Sequence, residues 1–151
     1  MKILMVCLGN ICRSPLAQGI LEATAKQRRL KWTVDSAGTS GWHAGEKPDQ
    51  RAIEIARQYG INISNQRSGI LKSQDFYDFD YILAMDEKNL QDILRICPSP
   101  ELVGKVHLIL GFSENTMMKE VPDPYYDGNF QKVFSLLSYA CKGFVLGAAA
   151  V

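Results

Sequence analysis

The chain has 151 residues, 46% of them hydrophobic and 22% charged, which suits one folded domain and argues against disorder. With 17 basic residues against 16 acidic ones, the chain as a whole has no electrostatic reason to coat nucleic acid or an anionic membrane, so any anion site must be local. No apolar run reaches the ~20 residues of a membrane span, and Met1 to Val6 runs into Cys7 with no cleavage pattern, so a cytoplasmic location is expected. In that compartment Cys7, Cys12, Cys97 and Cys141 are expected to stay reduced. Two histidines, His43 and His107, and no C-x2-C pair leave no basis for a metal site, and no cofactor is implied. Without repeats or a Pro/Gly/Ser-rich linker, residues 1–151 read as a single domain.

In chain order, Ile3 to Val6 is a short apolar run that predicts a strand, and Pro15 to about Arg29 predicts a helix. Trp32 to Val34 predicts a second strand and Asp49 to Tyr59 a second helix. A third strand is expected at Tyr81 to Met85, followed by a helix over Glu87 to Ile96 with Asp86 as its N-cap. Val106 to Leu110 predicts a fourth strand. A last helix from Phe130 to about Val145 places Phe130, Val133, Phe134, Leu137, Cys141 and Phe144 on one face. Strands alternating with helices imply an α/β fold in three layers: a four-stranded parallel sheet flanked by helices, with the ligand crevice at the carboxyl ends of the strands. Cys7 sits at the end of the first.

The turn that follows that strand, Val6-Cys7-Leu8-Gly9-Asn10-Ile11-Cys12-Arg13-Ser14-Pro15, carries the chemistry. Gly9 and Asn10 tolerate left-handed backbone angles, so the loop can curl until successive N–H groups face one centre. Ser14 is a good N-cap and Pro15 a good first helical residue, which would aim the positive end of the helix at the same point. Arg13 adds a planar fork for two phosphate oxygens. The same donors that stabilise an anionic sulfur would hold the equatorial oxygens of a phosphoryl group as Cys7 attacks phosphorus in line. A bare C-x5-R also fits a buried thiol beside a solvated arginine. The strand before it, Gly-Asn within it and Ser-Pro after it favour a phosphate loop.

Breaking the ester also requires a proton for the leaving oxygen. Val121-Pro122-Asp123-Pro124-Tyr125-Tyr126-Asp127-Gly128 offers it: two prolines stiffen the backbone around Asp123, and two aromatics follow that could line a cleft. The same stretch is also plain loop chemistry.

These residues resemble the low molecular weight protein tyrosine phosphatases. The likeness runs through the loop from Val6 to Pro15, then Asp35-Ser36-Ala37-Gly38-Thr39, Phe79-Asp80-Tyr81-Ile82-Leu83-Ala84-Met85-Asp86 and Asp123-Pro124-Tyr125-Tyr126. It implies hydrolysis of phosphotyrosine and small aryl phosphates through a phosphocysteine on Cys7, with Arg13 binding phosphate and Asp123 as general acid and base. Loop residues Leu8, Gly9, Asn10, Ile11, Cys12 and Ser14 would surround the phosphate. Leu8, Trp42, Tyr125 and Tyr126 would wall the cleft, and Asn10, Ser14 and Ser36 would form a polar network holding the loop. Cys12 matches a second loop cysteine able to form a reversible disulfide with the nucleophile, although it also reads as a small buried side chain. Phosphotyrosine proteins are the implied substrates, inorganic phosphate the product, and a monomer the expected state.

Two departures stand out: Asn65 occupies a position where some members carry histidine, and the end, Gly143 to Val151, has no charged finish. Arsenate reduction on the same fold would need a further cysteine pair, and Cys97 has no near partner. A phosphopeptide-binding module would need no acid at Asp123. His43 reads as an incidental loop residue, and Trp42 as a binding one.

Overall fold

The computed structural model describes residues 1–114 and 117–149. Four strands, β1 (Lys2–Cys7), β2 (Thr33–Gly38), β3 (Tyr81–Ala84) and β4 (Val106–Leu108), form one parallel sheet in the order β2-β1-β3-β4. Helices α1 (Arg13–Gln27), α2 (Gln50–Gln58) and α6 (Phe130–Ala149) lie on one side of it, and α3 (Asp75–Asp78) and α4 (Glu87–Ile96) on the other. Short 3-10 turns flank β4, and α5 (Pro124–Asp127) is a single turn before α6. This is the expected three-layer parallel architecture.

Strand alternation sorts the two cores. From β1, Ile3, Met5 and Cys7 pack toward α1 and α6, whereas Leu4 and Val6 pack toward α3 and α4. All five are nearly sealed from solvent, as expected where helices cover both faces. The spacing-derived face of α6 is buried in the first core, from Phe130 to Phe144. Ala150 and Val151 lie outside the described residues, and so does the end of the uncharged carboxyl stretch. Among the described residues no helix is long and apolar enough to cross a membrane.

Several boundaries differ from the sequence expectation, among them α6, which runs on to Ala149, and the short α3 was not expected. β2 runs on through Asp35-Ser36-Ala37-Gly38, because pairing with Leu4 to Cys7 of β1 overrides the low strand propensity of Asp, Ser and Gly. β4 stops at Leu108, where Ile109 and Leu110 turn into a 3-10 helix and are buried against the core. α1 begins at Arg13, two residues before Pro15.

The chain leaves β1 for β2 on one side, and after β2 it crosses back to β3 on the other side of β1, so β1 ends at the topological switch point. Cys7 occupies that end, paired in register with Gly38.

Candidate active site

The loop between β1 and α1 is fixed by polar side chains behind it. Asn10, 2% exposed, adopts a left-handed φ of 56°, which brings its backbone N–H 3.2 Å from Cys7 Sγ. Its side-chain amide donates to Ser14 Oγ at 2.8 Å and to Ser36 Oγ at 3.0 Å, while its Oδ1 accepts from the Gly69 N–H at 3.0 Å. With Asn10 donating to Ser14 Oγ, the Ser14 proton is available to Cys7 Sγ, 3.0 Å away. Ser36 in turn donates to Gln18 Oε1 at 2.7 Å, and Ser68 Oγ donates to the Gly9 carbonyl at 3.0 Å. Every polar atom of the Asn10 side chain is therefore used.

Two local readings change. Ser14 is not the N-cap: the cap position is Cys12, without a side-chain cap bond, and Ser14 lies inside the first turn. Its hydroxyl is held by Asn10 and Cys7 rather than by the helix backbone. Gly9 is not left-handed; only Asn10 in this loop has positive φ. Glycine serves there for space, since a Cβ would stand 3.1 Å from Cδ2 of the His43 ring.

Arg13 is 3% exposed. Its Nη1 donates to Asp86 Oδ2 at 2.7 Å and to the Val121 carbonyl at 2.9 Å, and Nη2 stands 3.8 Å from Asp123 Oδ2. Asp86 does two things at once. Its other oxygen caps α4, accepting from the Asn89 N–H at 2.7 Å, so the expected cap also orients the guanidinium.

On the opposite side, Val121 N–H donates to the Met85 carbonyl at 2.8 Å, and the Glu120 carboxylate accepts from the Glu87 N–H at 2.8 Å. Asp123 then caps α5, its Oδ1 accepting from the Tyr125 N–H at 3.1 Å. The Arg51 guanidinium takes Asp49 by two bonds, Nε to Oδ1 at 3.0 Å and Nη2 to Oδ2 at 2.9 Å, which holds the Asp49 carboxyl below the usual carboxylate range. Asp49 caps α2, and its own N–H donates to the Ile11 carbonyl of the loop at 2.7 Å.

Cys7, Arg13 and Asp123 all open into one cleft of about 410 Å³, floored by Gly9, Ile11 and Cys12 and walled by Leu8, Trp42, Tyr125 and Tyr126. Trp42 is 91% exposed and Tyr126 89%, far more than large aromatics usually are without a binding role. Asn10, Ser14 and Ser36 stay behind the loop. Cys12 is 5% exposed, and burial, reinforced by the charge of Asp49, pushes its thiol well up.

A buried cysteine and arginine bracket a loop at the switch point, opposite a carboxylate. The family model for low molecular weight phosphotyrosine protein phosphatase matches residues 2–151. The chain belongs to this family. It is 39% identical to the low molecular weight protein-tyrosine-phosphatase YfkJ of Bacillus subtilis, over 93% of this chain and 91% of that one. It is 36% identical to the low molecular weight phosphotyrosine protein phosphatase of Sus scrofa, over 95% and 93%. The crystal structure of a protein tyrosine phosphatase from Entamoeba histolytica superposes with a TM-score of 0.95 at 36% identity, covering 99% of this chain and 97% of that one.

Several residues of the phosphatase site have no mark in the local motif. His43, which the sequence leaves as incidental, lines the cleft, with its Nδ1 2.7 Å from Glu46 Oε2. Gln18, Ser68 and Gly69 reach the loop network from other elements. Asn65, at the histidine position, is an exposed turn residue, while its neighbour Gln66 donates to the Pro15 carbonyl at 3.1 Å. Cys97 ends α4, its Sγ donating to the Ser99 carbonyl at 3.3 Å, and Cys141 is sealed in the core.

Proposed function

We propose that the protein hydrolyses phosphotyrosine on protein substrates, with Cys7 as nucleophile, Arg13 as phosphate ligand and Asp123 as general acid and base. The observation that carries this reading is the convergence on Cys7 Sγ of the Asn10 N–H at 3.2 Å and the Ser14 hydroxyl at 3.0 Å, inside a cleft that also holds Arg13 and Asp123. Both donors favour negative charge on the sulfur that must attack.

In the first half-reaction the thiolate forms an S–P bond while the ester P–O bond breaks, and the departing tyrosyl oxygen takes the proton of Asp123. The loop N–H groups and the outer edge of the Arg13 fork bear the charge spread over the equatorial oxygens. In the second, a water oxygen attacks phosphorus, Asp123 takes its proton, and the S–P bond breaks to return the thiolate and inorganic phosphate. Arg13 meets the phosphate already aligned, because Asp86 and the Val121 carbonyl fix Nη1. Trp42, Tyr125, Tyr126 and Leu8 suit the faces of a phenyl ring.

The deciding experiment is hydrolysis of p-nitrophenyl phosphate and a phosphotyrosine peptide by wild type and Cys7→Ser. Activity vanishes on both in the variant, while a rate equal to wild type removes Cys7 from the mechanism. One structural neighbour, at 34% identity and a TM-score of 0.91, is a Drosophila arginine phosphatase. A phosphoarginine peptide in the same assay is expected to be the poorer substrate, since the aromatic walls favour a ring over a guanidino group's polar edge.

A further inference from the structure

Arg51 lies outside the cleft, on α2, yet it bridges the two segments that form the cleft. Its Nη2 donates to the Tyr125 carbonyl at 3.2 Å, and its guanidinium lies 4.8 Å from the centre of the Phe130 ring and 5.7 Å from that of Tyr125. The same group is locked by the two bonds to Asp49, whose backbone N–H holds the Ile11 carbonyl at 2.7 Å. The chain of contacts therefore runs from the phosphate loop at Ile11, through Asp49 and Arg51, to the Tyr125 peptide. There the Tyr125 N–H donates to Asp123 Oδ1 at 3.1 Å. One residue, Tyr125, thus holds Asp123 by its N–H and is held by Arg51 at its carbonyl.

We propose that Arg51 is a positioning residue for the general acid: it docks α5 onto the phosphate loop and so sets where the Asp123 carboxyl stands relative to Cys7. The proposal rests on the reading of Asp123 as the acid. Lysine cannot replace it, because a point charge lacks the fork that takes both Asp49 oxygens and the plane that lies between two rings. Asp49 is part of the same device, since without it the guanidinium has no fixed link to Ile11. Arg51 does not line the cleft, so its effect on catalysis runs through Asp123. Its side chain is 46% exposed, so its substitution leaves the buried core intact.

The test uses Arg51→Gln and Arg51→Lys with two substrates: phenyl phosphate, whose leaving oxygen needs a proton, and p-nitrophenyl phosphate, whose leaving oxygen needs little help. Competitive inhibition by inorganic phosphate reports on the loop separately. Both variants are expected to lose about tenfold in kcat/KM on phenyl phosphate, a modest misplacement of one catalytic group. On p-nitrophenyl phosphate the loss is threefold or less, and phosphate inhibition stays as in wild type. Combining Arg51→Gln with Asp123→Asn adds nothing to Asp123→Asn alone, since the positioned group is already gone. Equal losses on both substrates, or a full additional loss in the double variant, would overturn the proposal while leaving the acid in place. If Asp123→Asn itself fails to discriminate between the substrates, the acid assignment falls and the proposal with it.

Discussion

Residues 7–14 and residues 121–128 face each other across the cleft, but they are held in opposite ways. The phosphate loop is tied from behind by buried groups, with Asn10 at 2% and Arg13 at 3% exposure and each bonded to residues far along the chain. The acid segment is tied at its ends, by Glu120 and Val121 before Asp123 and by Arg51 after it, while Tyr125 and Tyr126 project into solvent. A phosphoryl group always has the same shape and charge, so its seat gains from rigidity. Leaving groups differ, and a short exposed turn anchored at both ends can adjust to them.

That contrast breaks most visibly at Asp123. Replacing it by Asn keeps an acceptor for the Tyr125 N–H but removes the proton. The kcat/KM for a phosphotyrosine peptide is expected to fall by ~10² to 10⁴, with a much smaller loss on p-nitrophenyl phosphate. Comparing kcat/KM on the two substrates checks it, because kcat/KM reports formation of the phosphocysteine and not its base-assisted hydrolysis, which both substrates share. A uniform loss would mean that the acid segment also builds the phosphate seat, and the two regions would no longer be separable.

Ser14→Ala is the complementary change, since it removes a donor to Cys7 Sγ and leaves one Asn10 amide proton unpaired in a buried place. Loss of one such bond, about 1 to 1.5 kcal/mol, corresponds to roughly tenfold in rate. The expected loss is the same for good and poor leaving groups, because the sulfur and the phosphate seat are common to both. A loss confined to poor leaving groups would show that the loop network serves Asp123 instead.

The same division governs what was legible in the sequence. Cys7, Gly9, Asn10, Arg13, Ser14 and Pro15 lie within one turn, so their shared purpose is visible from adjacency, and the buried face of α6 follows from spacing alone. Of what ties the loop down, the bonds from Asn10 to Ser14 and Ser36 were expected from the family resemblance, but the more distant partners were not. Asp86 meets Arg13 across 73 positions of chain, and Ser68 and Gly69 meet the loop across 59, with no local pattern to announce them. Ser14 shows why the local rule misled: Ser before Pro reads as a cap, but a tertiary partner for its hydroxyl outweighs the capping bond it would otherwise make. Gly9 is similar, since its lack of a side chain answers to His43, thirty-four positions away, and not to its own φ. Asp49 was legible as a helix start, yet its bond to Ile11 depends on how α2 packs.

The two regions should also differ in the pH at which each weakens. Asp49, on the acid-segment side, has its carboxyl held down first by hydrogen bonding from Arg51. Its contribution to stability is present above the unfolded value of ~3.9 and is lost as pH falls below it. The phosphate-loop side has the reverse weakness. Burial raises the Cys12 thiol, and pushes the Cys141 thiol of the adjoining core up to about 12. Below the unfolded thiol value of ~8.5 both states are protonated and nothing is lost. Above it the unfolded chain ionises while the folded one does not, so stability falls by at most about 1.4 kcal/mol per pH unit for each thiol. Urea unfolding at a series of pH values between 7.5 and 10, on wild type and Cys141→Ala, isolates this. The variant starts from a lower stability because the core loses the sulfur, but its decline above pH ~8.5 is shallower by one thiol's share. Parallel declines would mean that the Cys141 thiol ionises as readily in the folded core as in the unfolded chain.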